Sequence, residues 1–203
     1  RVSKTVVDSD LRISVGPPKT HDTVIVTLSL KNMVMGSLIR DQREEGGSGP
    51  MIGALKTLSG AIPSQIKNAQ LMAPLRTNVM RTVARSDKAA MHMGYGLINL
   101  NLYRLAPLVY PHVSVIDGFV GMEGAGPTRG DPIDLRCAVA SADFVAADSV
   151  AAELMGFHIS EVGYLHYCNL KGLGVGDLDR ITIVGASLPA CRRAFRPPPG
   201  VSA

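Results

Sequence analysis

The chain contains no tryptophan and only four Phe and five Tyr among its 203 residues. With so few rings, and none interleaved with basic residues, a nucleic-acid surface is not expected. Charged residues are also sparse, at 19%, against 46% hydrophobic, which excludes disorder and indicates a folded core. No run approaches the roughly eighteen uninterrupted apolar residues of a membrane span, so no membrane partner is expected. The opening segment lacks the basic-then-apolar layout of an export signal. It begins with Arg1 rather than Met, the mark of a piece of a longer chain. The three cysteines, Cys137, Cys168 and Cys191, are odd in number and 31 and 23 residues apart, which fits neither a disulfide framework nor a CxxC metal pattern. Free thiols in a reducing, cytoplasmic setting follow. Familiar catalytic signatures are missing too: the sequence holds no GK[ST] phosphate loop, no HExxH helix and no G-x-S-x-G elbow.

What is present fits one domain over residues 1–203. Short β-branched runs alternate with helical patterns, which predicts an α/β domain of three-layer type, with a mostly parallel or mixed sheet and flanking helices. Arg12–Val15, His112–Ile116, Arg136–Ala140 and Ile181–Val184 read as strands. The stretch from Thr23 to Met35 reads both ways, its Val-Ile-Val-Thr start favouring strand and its later residues helix. Asp143 to Met155 reads as a helix capped by Ser141 or Asp143 and ended by Gly156. Ser160 to Lys171, closed by Gly172, reads as another. The tail from Arg192 to Pro199 has no periodicity and is expected to run over the surface.

Between Arg40 and Lys88, eight basic residues face four acids, so this stretch carries the whole net charge of +4. It reads as a basic helical insertion at about 44–88, with a GGSGP loop at its start and an amphipathic helix marked by Leu75, Val79 and Val83. Its charge is expected to govern solubility and association rather than ligand binding.

Three polar clusters interrupt this apolar frame. The first, Gly16-Pro-Pro-Lys19-Thr-His21-Asp22, follows an apolar strand, where an open α/β sheet places its ligand crevice. Lys19 and His21 would face a ligand there, or else decorate a Pro-fixed turn. Lys31 and Asn32 follow on the next element, and a cation in an apolar stretch needs a partner.

The second cluster runs from Asp117 to Asp131. Five glycines in these fifteen positions, Gly118, Gly121, Gly124, Gly126 and Gly130, leave the backbone free to approach an anion, or to make the tight turns of an Ω-like loop. Asp117, Glu123 and Asp131 offer the hard oxygens that suit a divalent cation such as Mg²⁺.

The third cluster is Ser141-Ala-Asp143 through Asp148. On a helical wheel Asp148 falls about 140° from Asp143, on the apolar side, whereas Ser149 and Glu153 mark the wet side. A carboxylate in an apolar sector must be neutralised, hydrogen-bonded or metal-bound. Either a site carboxylate or a structural one meets that need.

In this combination and order, the stretches Val15–His21, Thr27–Met33, Asp87-Lys88 with His92, Val115–Gly130 and Ser141–Phe157 resemble the domain of unknown function 362 family. Some members of that family carry an appended ferredoxin-like domain, so the resemblance implies redox or cluster-linked work. This sequence has no C-x₂-C-x₂-C run, and no iron–sulfur cluster is expected from this chain alone. Two functions compete. One is an enzyme acting on an anionic small molecule, with Lys19, His21 and Lys31 as catalytic or anion-binding groups. Gly121, Gly124, Gly126, Gly130 and Asn32 would cradle the ligand, and Asp117, Glu123 and Asp148 would hold a metal. The other is a non-catalytic module that docks on a redox partner or forms a homo-oligomer.

Overall fold

The computed structural model describes residues 1–39, 91–92 and 94–200. The basic insertion, its GGSGP loop and its amphipathic helix lie outside the described residues.

Two mixed sheets, flanked by helices, form the frame. In the first, the order is β1 (Ile13–Gly16), β4 (Val113–Gly118), β7 (Cys137–Ser141). β1 runs parallel to β4 with Ile13 opposite Val113, and β7 returns antiparallel with Val139 opposite Ile116. In the second, β3 (Ile25–Thr27), β2 (Lys19–His21), β5 (Gly121–Glu123) and β6 (Asp131–Ile133) lie side by side. β2 is antiparallel to β3 and parallel to β5, and β5 is antiparallel to β6.

The stretch whose pattern read both ways is both things in turn: β3 ends at Thr27 and α2 (Ser29–Ser37) begins two residues later. An earlier short helix, α1, spans Lys4–Val7. α4 (Phe144–Met155) has the predicted caps, because Asp143 accepts the amides of Val145 and Ala146 and Gly156 adopts φ 91°. Ser149, expected on its wet side, is 2% exposed, since α4 is buried on nearly every face between the first sheet, α2 and the next helix. That next helix, α5 (Gly163–Leu170), starts after a single 3₁₀ turn, Ile159–Glu161, which is closed by a His158–Glu161 capping box.

The sequence pattern missed α1, β2, β5, β6 and two further helices, and it invented one strand. α3 (Tyr95–Val109), the longest helix of the described residues, contains Pro107, but Ile98, Leu102, Ala106 and Val109 recur on one buried face. A short helix, α6, spans Leu188–Cys191. Ile181–Val184 is not a strand: Val184 is 92% exposed, and the run pairs with nothing in either sheet.

One face of the first sheet is covered by α2 and α4. Serines line the contact there, letting α2 approach closely: Ser14 Oγ donates to the Ser29 carbonyl at 3.1 Å, and Ser29 Oγ donates to Ser114 Oγ at 2.6 Å. The other face carries Ile13 and Val15, 52% and 67% exposed, beside Val113, Val115, Ala138 and Ala140.

Candidate functional site

β1 ends at Gly16 against the first turns of α2. A Cβ on Gly16 would meet the Asn32 side-chain nitrogen at 3.1 Å, which fixes Asn32 at the carboxyl end of β1. Pro17 and Pro18 then turn the chain into β2. Alternation along β2 sets Lys19 and His21 on one face and Thr20 on the other. Register adds Thr27 opposite Lys19 on β3, and Met122 opposite it on β5. Lys19 is half-buried. Thr27 is 4% exposed, and its hydroxyl has no hydrogen-bond partner among the described residues.

His21 is 3% exposed. Its Nδ1 accepts the amide of Thr23 at 3.0 Å and that of Val24 at 3.4 Å, while an Asp22 carboxylate oxygen also lies 3.0 Å away. The amide bonds need a bare Nδ1 and the carboxylate needs a protonated one. Burial pushes the imidazole pKa down, and the Lys31 and His92 charges add to that against the pull of Asp22, so the neutral ring with its proton on Nε2 prevails. The hydrogen bond to His21 lowers the Asp22 carboxyl in turn. The His92 ring stacks on His21 with centroids 6.2 Å apart. Lys31, in the first turn of α2, is 6% exposed and close enough for its charge to act on His21. Ile25, paired with His21 across the hairpin, holds φ 71°, a left-handed conformation strained for a β-branched residue.

Lys19, His21, Lys31 and His92 are thus gathered at one place, with Asp22 beside them and Asn32 on the first turns of the same helix as Lys31. The expected carboxylates are elsewhere. Asp117 is exposed on β4 and accepts the Phe119 amide at 3.1 Å. Glu123 shares β5 with Met122 and therefore points to the opposite face from Lys19. Its Oε2 accepts the Arg196 amide at 2.8 Å, and the Arg196 guanidinium reaches both Glu123 and Asp131.

Asp148 is fully buried on α4 and takes the amides of Ser29 and Leu30, one on each oxygen, at 2.9 Å. Burial pushes its carboxyl up to about 7 against the pull of those two bonds. Tyr164 and Cys168, also buried, are both raised by burial first and by the Asp148 charge second. Among the described residues no group of three or more His, Cys, Asp or Glu is placed to hold a metal ion.

The glycines of the second cluster lie against other parts of the chain. Gly118 ends β4 with no room for a Cβ, which would lie 2.6 Å from the Cys137 carbonyl. Gly121 lies under the Phe195 ring, where an added Cβ would be 2.7 Å from the ring edge. The Gly124 amide donates to Arg196 and that of Gly126 to Gly124, at 2.9 and 2.8 Å. A Cβ on Gly126 or Gly130 would strike the carbonyl of Thr20 or Glu123. The tail read as surface is therefore an anchor, with Phe195 only 5% exposed. A single buried aromatic among arginines and prolines was the available signal.

The described residues define a mixed α/β domain with Lys31, His92 and Asp22 around a buried His21 where β2 meets α2. The family model for the domain of unknown function DUF362 matches residues 1–153, and the chain belongs to that family. It is also similar to the thylakoid-associated protein sll1697 of Synechocystis sp., at 24% identity over 155 residues, which is 76% of this chain. The chain spans only 35% of that relative's length. No solved structure matches it.

Proposed function

We propose that the chain binds a small anionic molecule on the face of β2 that carries Lys19 and His21. The observation behind this is the convergence of Lys31 and His92 on one buried imidazole, on the face of β2 that also carries Lys19, opposite a buried threonine hydroxyl without a hydrogen-bond partner among the described residues. Lys19 and Lys31 supply charge. His21, neutral with its proton on Nε2, donates a hydrogen bond without adding charge, and Asn32 adds an amide from the same helix as Lys31. The glycine loop acts indirectly, by holding β5 against β2 beside Lys19. Strain at Ile25 fits a hairpin fixed for ligand contact rather than for stability.

The test is a thermal melt with inorganic phosphate, ADP or Mg²⁺ alone, since a ligand that binds only the folded chain raises the melting temperature with its concentration. Phosphate or ADP is expected to stabilise the parent and to lose most of that effect in Lys19→Gln. No stabilisation by any anion, or an equal effect in the variant, overturns the reading.

A second reading, a docking module, is favoured by the outer face of the first sheet, where Ile13 and Val15 are 52% and 67% exposed, with Leu11, also exposed, just ahead of β1. The partner we infer is a protein with an equally apolar surface. The Synechocystis relative is thylakoid-associated, which suits attachment of this kind. Val15→Glu is expected to abolish association in sedimentation experiments while leaving anion-induced stabilisation intact.

A further inference from the structure

We propose that the cleft between α4 and the segment that follows α5 binds a small organic diamine. The cleft measures about 460 Å³, within the roughly 300–1,000 Å³ usual for small-molecule sites. Three carboxylates, Glu153, Asp177 and Asp179, line it together with two histidines, and no Lys or Arg does so among the described residues. None of Lys19, His21 or Lys31 lines it either, so this site is separate from the anion site on β2.

Ser149 gives the acidic cleft its second sign of a ligand. This residue also lines the cleft, is 2% exposed, and has a hydroxyl with no hydrogen-bond partner among the described residues. A buried hydroxyl left unpaired is costly, and an occupant that bonds to it removes the cost. Ser149 and Glu153 stand four residues apart on α4, so they share the face that the helix turns to the cleft. One oxygen of Glu153 lies 3.5 Å from the Arg192 guanidinium, which is half-exposed and outside the cleft lining.

An alkylammonium group has three N–H donors and no acceptor, which suits a hydroxyl beside a carboxylate. Asp177 and Asp179 come from a different element, the 3₁₀ turn Leu178–Arg180 and its cap, which packs on α4 and offers acceptors to a second ammonium. Ile159 and Leu178, both half-buried, supply apolar lining for the methylenes between the two charges. A bare metal ion suits the cleft less, since no group of three His, Cys, Asp or Glu among the described residues is placed to hold one.

The full chain is titrated with putrescine by calorimetry at constant ionic strength, with n-butylamine and Mg²⁺ as comparisons. Putrescine is expected to bind, and more tightly than the monoamine or the metal. Glu153→Gln should raise its dissociation constant about tenfold, the order expected for losing a charge-assisted hydrogen bond. Asp179→Asn, at an exposed position, should raise it a few-fold. Asp10→Asn, an exposed carboxylate outside the cleft, should leave it unchanged. Ser149→Ala removes the unpaired hydroxyl, so the melting temperature without ligand should hold or rise while putrescine affinity falls. No putrescine binding, the same affinity in the parent and the three cleft variants, or tighter binding of Mg²⁺ or n-butylamine would overturn the proposal.

Discussion

Asp148 on α4 caps Ser29 on α2 across 119 residues of sequence, its Oδ1 taking the Ser29 amide while Oδ2 takes that of Leu30. Leu28 occupies the N-cap position and offers no side-chain acceptor, so the first turn of α2 relies on a carboxylate from another helix.

This pairing makes Asp148→Asn a destabilising change. Asparagine keeps the volume but turns an NH₂ group toward an amide that needs an acceptor. A loss of about 1–3 kcal/mol is expected, measured as a lower urea midpoint. Phosphate-induced stabilisation should persist in the variant, because both oxygens of Asp148 are occupied by α2.

The pH dependence has two opposing parts. His21 is lowered below its ordinary 6.5, so between its folded value and 6.5 the unfolded chain holds more protons, and stability falls as pH drops through that window. Asp148 is raised from 3.8 to about 7, so its contribution is complete below 3.8 and is lost as pH rises through about 7. His21→Asn, which keeps an acceptor for the Thr23 amide, should flatten the loss just below pH 6.5. Asp148→Asn should remove the opposite slope. Chemical denaturation at a series of pH values reads both.

Two glycines should respond to alanine in opposite directions. At Gly126 the new methyl would collide with the Thr20 backbone, and a loss of about 1–3 kcal/mol is expected. Gly36 is exposed in the last turn of α2, and among the described residues an added Cβ meets nothing within 4 Å, so Gly36→Ala should stabilise by roughly half a kcal/mol. Melting temperatures of the two variants, compared with the parent, test the pair.

Phe195→Ala should cost about 3 kcal/mol, the order expected for emptying a buried aromatic site. Arg196→Ala, at an exposed position, should cost well under 1 kcal/mol in a melt. A larger effect at Arg196 than at Phe195 would mean that the clamp on Glu123 and Asp131, not the ring, holds the tail.

The elements legible in the sequence are those whose signal is local. β1 and β4 carry β-branched residues, β7 a short apolar run around Val139, and α4 carries both of its caps at the right distance. β2, β5 and β6 are three residues each, β2 following two prolines, β5 opening on glycine and β6 holding a proline, so only pairing with neighbours makes them strands. Ile181–Val184 has the composition of a strand but no partner. The wheel correctly placed Asp148 on a buried side. What it faces was illegible, because the need for an acceptor arises from Leu28, far away in the chain. Lys19, His21 and Lys31 were readable as polar interruptions, whereas the role of the tail rests on Gly121, whose missing side chain leaves room for the Phe195 ring.

The order in which these parts are made on a ribosome bears on how the chain folds. β5 and β6 emerge long before Phe195, so until the tail arrives the face of Gly121 that the Phe195 ring covers stays uncovered. A nascent chain at that stage can form the first sheet, but its second sheet has an unsealed back. Chains stopped before residue 195 should therefore be targets for chaperones and proteases even with every strand already made.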